Sequence, residues 1–315
     1  MKAKESSMLA ALLLVTSALP ASADALNDWL TGDYATGDWG GVRTDLEEMG
    51  ITPEAAYTTD ILAVRNGNEG SGDGWDYAGR IDFGINFDLE KLFGLPGFSL
   101  YASGAWSSGH DLSGRQVGNI FAVQQIFTGR EARLSQLYVQ QDLLDDRLTF
   151  KLGRLTAEAD FLASDIYANY VNGGINGVPS NIPDGNDGFT TAPFSQWGLV
   201  AAGEPIENLR VAVGIYNVNE DQVDDRRNGT DFKLDTGDGV LAIAEVGYSW
   251  NQAEESEQET AADEAGQPIA GGLPEPRGGM PGNAKVGILY QSGDREDIKD
   301  GGDKNGNPGF YVSAE

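Results

Sequence analysis

Between residues 80 and 90 the chain reads RIDFGINFDLE, with an apolar side chain at every second position. Ile81, Phe83, Ile85, Phe87 and Leu89 fall on one side; Arg80, Asp82, Asn86, Asp88 and Glu90 fall on the other. Side chains of an extended chain alternate between two faces, so the stretch predicts a strand with one greasy and one charged face. The same period-two alternation recurs at 53–64, 76–90, 98–107, 132–142, 147–153, 209–216, 239–250 and 284–291, and more weakly at 196–203. A further strand begins at 309 and the sequence stops inside it, at 315. Ahead of the first strand, Val42, Leu46 and Met49 are spaced for one face of a short amphipathic helix, with Gly50 as its C-cap. That helix is expected at the periplasmic mouth.

The connections alternate as well. Those at 91–97, 143–146 and 204–208 are short, while those at 65–75, 108–131, 154–195 and 218–238 are long. Outer-membrane barrels have short periplasmic turns and long external loops, whereas a soluble sandwich has no reason to alternate. One connection breaks the rule: 251–283 should be short, yet it carries Glu254, Glu255, Glu257, Glu259, Asp263 and Glu264 and then a Pro/Gly-rich run. Its composition predicts a disordered, solvated insert.

The two ends of the chain sharpen this picture. Lys2 and Lys4, the apolar run 8–19 and Ala21-Ser22-Ala23 predict a signal peptide over 1–23, cleaved after Ala23. A lead over 24–52 and a partial barrel over 53–315 follow. Nothing beyond the leader approaches the ~18 apolar residues of a spanning helix, so membrane crossing requires a barrel. The greasy face of 80–90 then meets lipid and the charged face a wet lumen; the opposite register would put Asp82 and Asp88 in hydrocarbon. Aromatics near strand ends (Trp75, Tyr77, Trp106, Tyr216, Tyr248, Trp250) suit interfacial girdles.

Composition removes whole classes of function. The 315 residues carry 21 Lys+Arg against 49 Asp+Glu, a formal charge of −28, which argues against nucleic-acid and anionic-lipid partners. With no cysteine there is no disulfide scaffold or thiolate metal site. His110 is the single histidine, so no Ser/His/Asp hydrolase constellation or zinc site is expected, and no cofactor. The run at 300–309, DGGDKNGNPG, lacks a calcium loop's trailing Glu and predicts a turn-rich external loop.

At GDWGGVRTDLEEMGI, LSQLYVQQDLLDDRLTFKLGR, PFSQWGLVA and GVLAIAEVGYSW the sequence resembles the carbohydrate-selective porins of the OprB family, over 29–315. The resemblance implies an all-β, transmembrane antiparallel barrel, 16-stranded in the family, with about ten strands in this chain. It implies passive diffusion of sugars such as glucose, and a third loop folded inward to narrow the lumen. Family barrels end in an aromatic residue and this chain ends at Glu315, so the sequence is expected to be C-terminally truncated by about six strands. The acidic insert is a second departure, since family members have a short turn there.

Parity assigns the lumen-facing candidates: Arg80, Asp82, Asn86, Gln136, Tyr138, Gln140, Lys151, Arg210 and Glu245. Arg154 shares the parity of Leu152, which aims it at lipid, but it stands at a strand end where parity can fail, so it stays among the candidates. Asp160, Phe161, Asp165, Tyr167 and Tyr170 come from the third loop. Sugar hydroxyls pair with carboxylates and guanidinium groups, and sugar faces stack on aromatic rings. The expected partners are small sugars and outer-membrane lipid, with the barrel a monomer or a homotrimer. A barrel with an adhesive or other binding role, and a soluble periplasmic sandwich, remain the competing readings.

Overall fold

A computed structural model describes residues 34, 36–67, 72–219, 227–235, 237–251, 279–296, 301 and 303–315. The expected leader and nearly all of the acidic insert lie outside the described residues. The chain divides into two compact units, 1–53 and 54–315.

In the first unit, helix α1 (Val42–Glu48) forms where the sequence predicts it, and Gly50 follows at φ 92°. Its apolar positions are not what it buries. Val42 and Met49 are exposed, and the buried side chain is Arg43. The Arg43 guanidinium lies 3.7 Å from the ring centre of Tyr34 and 4.7 Å from that of Trp39. Cation–π contact and a hydrocarbon stem let an arginine serve as the packing residue.

The second unit is one ten-stranded sheet in strict sequence order. Its strands are β1 (Ile51–Val64), β2 (Gly74–Asp88), β3 (Phe98–Gly109), β4 (Ala132–Leu143), β5 (Leu148–Leu155), β6 (Gln196–Ile206), β7 (Leu209–Asn217), β8 (Val240–Trp250), β9 (Gly282–Glu296) and β10 (Asp303–Ala314). From β2 onward each neighbouring pair is antiparallel. No helix among the described residues is long and apolar enough to cross a membrane.

Boundaries differ from the expected ones for local reasons. β2 ends at Asp88, not Glu90, because the Asp88 carboxylate accepts the Glu90 and Lys91 N–H groups and caps helix α2 (Leu89–Phe93). The run 300–309 is not all turn: β10 begins at Asp303, with a register shift between Asn305 and Asn307. In β4, Ser103 pairs with Gln136 and Gly104 with Leu134, so Ser135 is a bulge. The bulge resets the alternation and turns Arg133 to the same side as Gln136.

One face of the sheet carries the large exposed apolar side chains, among them Phe83, Trp106, Val139, Leu152, Leu199, Val213, Ile215, Ile288 and Phe310. Trp75 and Tyr248 are also exposed, but Tyr216 is fully buried on the other face and belongs to no girdle. That other face is polar over β2–β5. Over β6–β10 it is largely apolar, and residues 155–189 cover it. Leu155, Phe161, Leu162, Val178, Ile182 and Phe189 join Val200, Tyr216, Leu241, Ile243 and Leu289 in one buried cluster.

Candidate permeation site on the inner face

The long β5–β6 connection builds the site by folding onto the inner face. Phe161 is its apolar anchor and meets Tyr216 edge-on, ring centres 6.3 Å apart. Gly214 makes room for it, since a Cβ there would stand 2.8 Å from the Phe161 ring. Polar ties pin the rest. Lys151 Nζ is 2.7 Å from Asp160 Oδ1. Gly188 N donates to Gln291 Oε1 at 3.0 Å, and Asn307 Nδ2 donates to Gly185 O at 2.7 Å. Backbone groups that would otherwise be buried without partners are satisfied by wall side chains.

Over β1–β4 the inner face stays open. A cavity of about 260 Å³ is lined by Glu54, Asp82, Tyr101, Ser103, Gln136 and Ala192, among others. Tyr101 and Tyr138 stack across β3 and β4 with ring centres 5.3 Å apart, and Lys151 Nζ lies 5.6 Å from the Tyr138 ring centre. Tyr101 donates its hydroxyl to Glu54 at 3.4 Å. A second cavity, about 240 Å³, is lined by Arg80, Gln125, Glu158, Ser164, Asp165 and Asn176, with Ala192 again on its wall. Arg80 pairs with Asp82 at 2.8 Å. Glu158, on the loop, accepts the Ala192 N–H. Desolvation pushes the Glu158 carboxyl up to about 7, against the lowering effects of that hydrogen bond and of the Arg80 charge.

The structure brings Arg80, Asp82, Gln136, Tyr138, Gln140, Lys151 and Asp160 to one inner surface. Gln140 donates to Asp142 at 2.7 Å, and Gln136 accepts from Thr156 N and Oγ1 at 3.4 and 3.5 Å. Three expected residues are buried away from the open cavities. Arg154 follows its parity and not the lumen. It is 1% exposed, and its guanidinium donates to the carbonyls of Gly229, Asp231 and Ser195 beneath residues 227–235. Glu245 is 3% exposed and fully engaged. Phe161 is in the core. Asp165 and Tyr170 are exposed and Tyr167 partly so. His110 sits 3.5 Å from Asp76, which Arg115 also pairs at 3.0 Å.

Sequence reasoning missed Glu158, Tyr101 as an aromatic partner, and the cover over Arg154. Tyr101 shares parity with Ser99 and Ser103, so cross-strand pairing with Tyr138 could have been read from the alternation. Glu158 left no such signal.

An antiparallel sheet in sequence order, with an apolar outer face and an inner face that is polar over β2–β5 and covered by an infolded loop over β6–β10, has the build of a porin-type β-barrel wall. The chain belongs to the carbohydrate-selective porin, OprB family, whose pattern matches residues 73–311. QuiX of Acinetobacter baylyi, a candidate porin by name, is 26% identical over 294 residues, covering 90% of this chain and 62% of that protein. Porin B of Pseudomonas aeruginosa is 26% identical over 281 residues, covering 87% of this chain and 56% of that protein. The chain thus spans about three-fifths of the length of these relatives. The high-pH structure of Pseudomonas putida OprB superposes with a TM-score of 0.73 at 21% identity, covering 89% of this chain and 64% of that one, which establishes a shared fold.

Proposed function

We propose that this chain contributes the wall and the constriction of a passive, water-filled carbohydrate pore in the outer membrane, a channel and not an enzyme. One observation carries the reading: an exposed apolar face backs onto an inner face where Arg80, Asp82, Gln136 and the Tyr101–Tyr138 pair border open cavities. Arg80 donates to sugar hydroxyl oxygens and Asp82 accepts from hydroxyl hydrogens, while the tyrosine rings take the apolar face of a pyranose. Gln140, Lys151 and Asp160 form a second polar station on the same surface. Several weak stations suit transport better than one tight site, because the solute must leave. The outward rows contact lipid, the leader is removed after Ala23, and monosaccharides such as glucose are the solutes. The family's sugar selectivity and the name of Porin B support this assignment.

Liposome swelling with the native protein tests it. Proteoliposomes are expected to swell in iso-osmotic glucose at a rate proportional to protein content. Protein-loaded vesicles that swell no faster than empty ones would sink the reading in favour of an adhesive barrel.

A further inference from the structure

If residues 156–195 form the constriction, something must hold their inner edge at a fixed distance from the wall. Most of the contact is apolar and does not fix a position. Of the polar ties between loop and wall, the one at Leu162 is buried and joins the loop to a carboxylate that two strands also hold. Glu245 stands on the inner face of β8, and its carboxylate collects donors from the adjacent strand β7, from β10 across β9, and from the loop. Oε1 accepts from Arg210 of β7 at 3.1 Å. Oε2 accepts from the Tyr311 hydroxyl of β10 at 2.7 Å and from the backbone N–H of Leu162 at 2.7 Å.

Leu162 supplies a second, independent observation. It is 3% exposed and has φ 58°, in the left-handed region that a bulky side chain rarely enters. Such a conformation persists only where its surroundings over-determine it. The group that meets its N–H is Glu245. The flanking residues carry the polar groups of the constriction: Glu158 and Asp160 before it, Ser164 and Asp165 after it.

We propose that Glu245 is the positioning residue of the constriction. Its carboxylate holds Leu162 in the left-handed turn and so sets how far residues 156–165 reach into the passage, without touching the solute. The proposal rests on the sugar-pore reading. Without the carboxylate, the Leu162 N–H is buried with no acceptor, and the turn relaxes toward ordinary backbone angles. The passage widens and its size discrimination weakens.

The test compares the native protein with Glu245→Ala and Glu245→Gln, reading swelling rates in glucose and in a trisaccharide together with peptide-level hydrogen exchange. In Glu245→Ala the glucose-to-trisaccharide rate ratio is expected to fall by at least about threefold, as a loosened pore lining predicts. Peptides covering 156–165 should exchange faster while those from β7 and β8 keep their native protection. Glu245→Gln, which retains one acceptor oxygen but leaves Arg210 without its counter-charge, should fall between. It carries the comparison if Glu245→Ala does not assemble. Val246→Ala, one residue along and outward-facing, should leave the ratio unchanged. An unchanged ratio in assembled Glu245 variants, or wall peptides that exchange as fast as the loop, overturns the proposal. Native protein that admits neither sugar overturns the pore reading instead, and the exchange data still decide the role of Glu245.

Discussion

Glu158 shows what burial does to one carboxyl on the inner face. Its elevated pKa, about 7, means that burial disfavours the charged form more than Arg80 and the Ala192 N–H favour it. A carboxyl raised above its unfolded value stabilises the fold fully in acid and loses that contribution as pH rises through the folded pKa. The buried Glu158 site therefore favours the fold most below the ordinary Glu range and least above neutrality, while the Ala192 hydrogen bond by itself favours the charged form. The charge beside Arg80 changes in step. With Glu158 neutral, Arg80 retains Asp82 at 2.8 Å but loses its second carboxylate neighbour. Reversal potentials across planar bilayers should show greater relative chloride permeability at about pH 5.5 than at about pH 8.5, on either side of the titration. Glu158→Gln should flatten that profile; a variant with the native pH dependence would clear Glu158 of the role. Arg154 illustrates the opposite fate for a charge. It points away from the lumen, yet three carbonyls and the Phe232 ring, 5.9 Å away, cover its guanidinium.

At the scale of the strand, alternation does nearly all the work. Asp82 and Phe83 are adjacent in β2, pair with Ala105 and Gly104 of β3, and face opposite ways. Phe83 is 49% exposed on the outward face, as the proposed lipid contact requires. Phe83→Arg is expected to cost assembly about 2–4 kcal/mol, the price of a cation on the lipid face near the bilayer centre. Asp82→Asn should assemble normally and alter permeation. Heat-modifiable mobility in detergent gels measures assembly for both, and equal damage from the two would reverse the register. The same logic covers β5, β7, β8 and β9, where the rows predicted to be apolar are the more exposed ones; in β3 the exposed member of that row is Trp106. Its limit appears at the Ser135 bulge, where one extra residue in β4 resets the parity without any change in composition.

For the chain as a whole, the formal charge of −28 coexists with an outward face rich in Val, Ile, Leu and Phe. Charge of that size ordinarily keeps a protein dissolved, but it cannot hydrate rows of aligned apolar side chains. The native protein is expected to leave cell envelopes only with detergent and to aggregate when the detergent is removed. Recovery as a dissolved species in plain buffer would return the soluble-sandwich reading to contention. The inner surface is less uniform than a wet wall of polar residues. On β6–β10 it is a core, because residues 155–189 bury it.

The strands, their order, the direction of each face and the family likeness were legible in the sequence, because a strand's alternation has a period of two and needs no distant partner to be seen. Which inward residues meet open space was not legible. Leu162 and Glu245 are 83 positions apart, and Arg154 lies 77 from the Asp231 carbonyl it reaches. Parity places a side chain on a face. Only the return of a loop from far along the chain decides whether that face is a wall, a core or a passage.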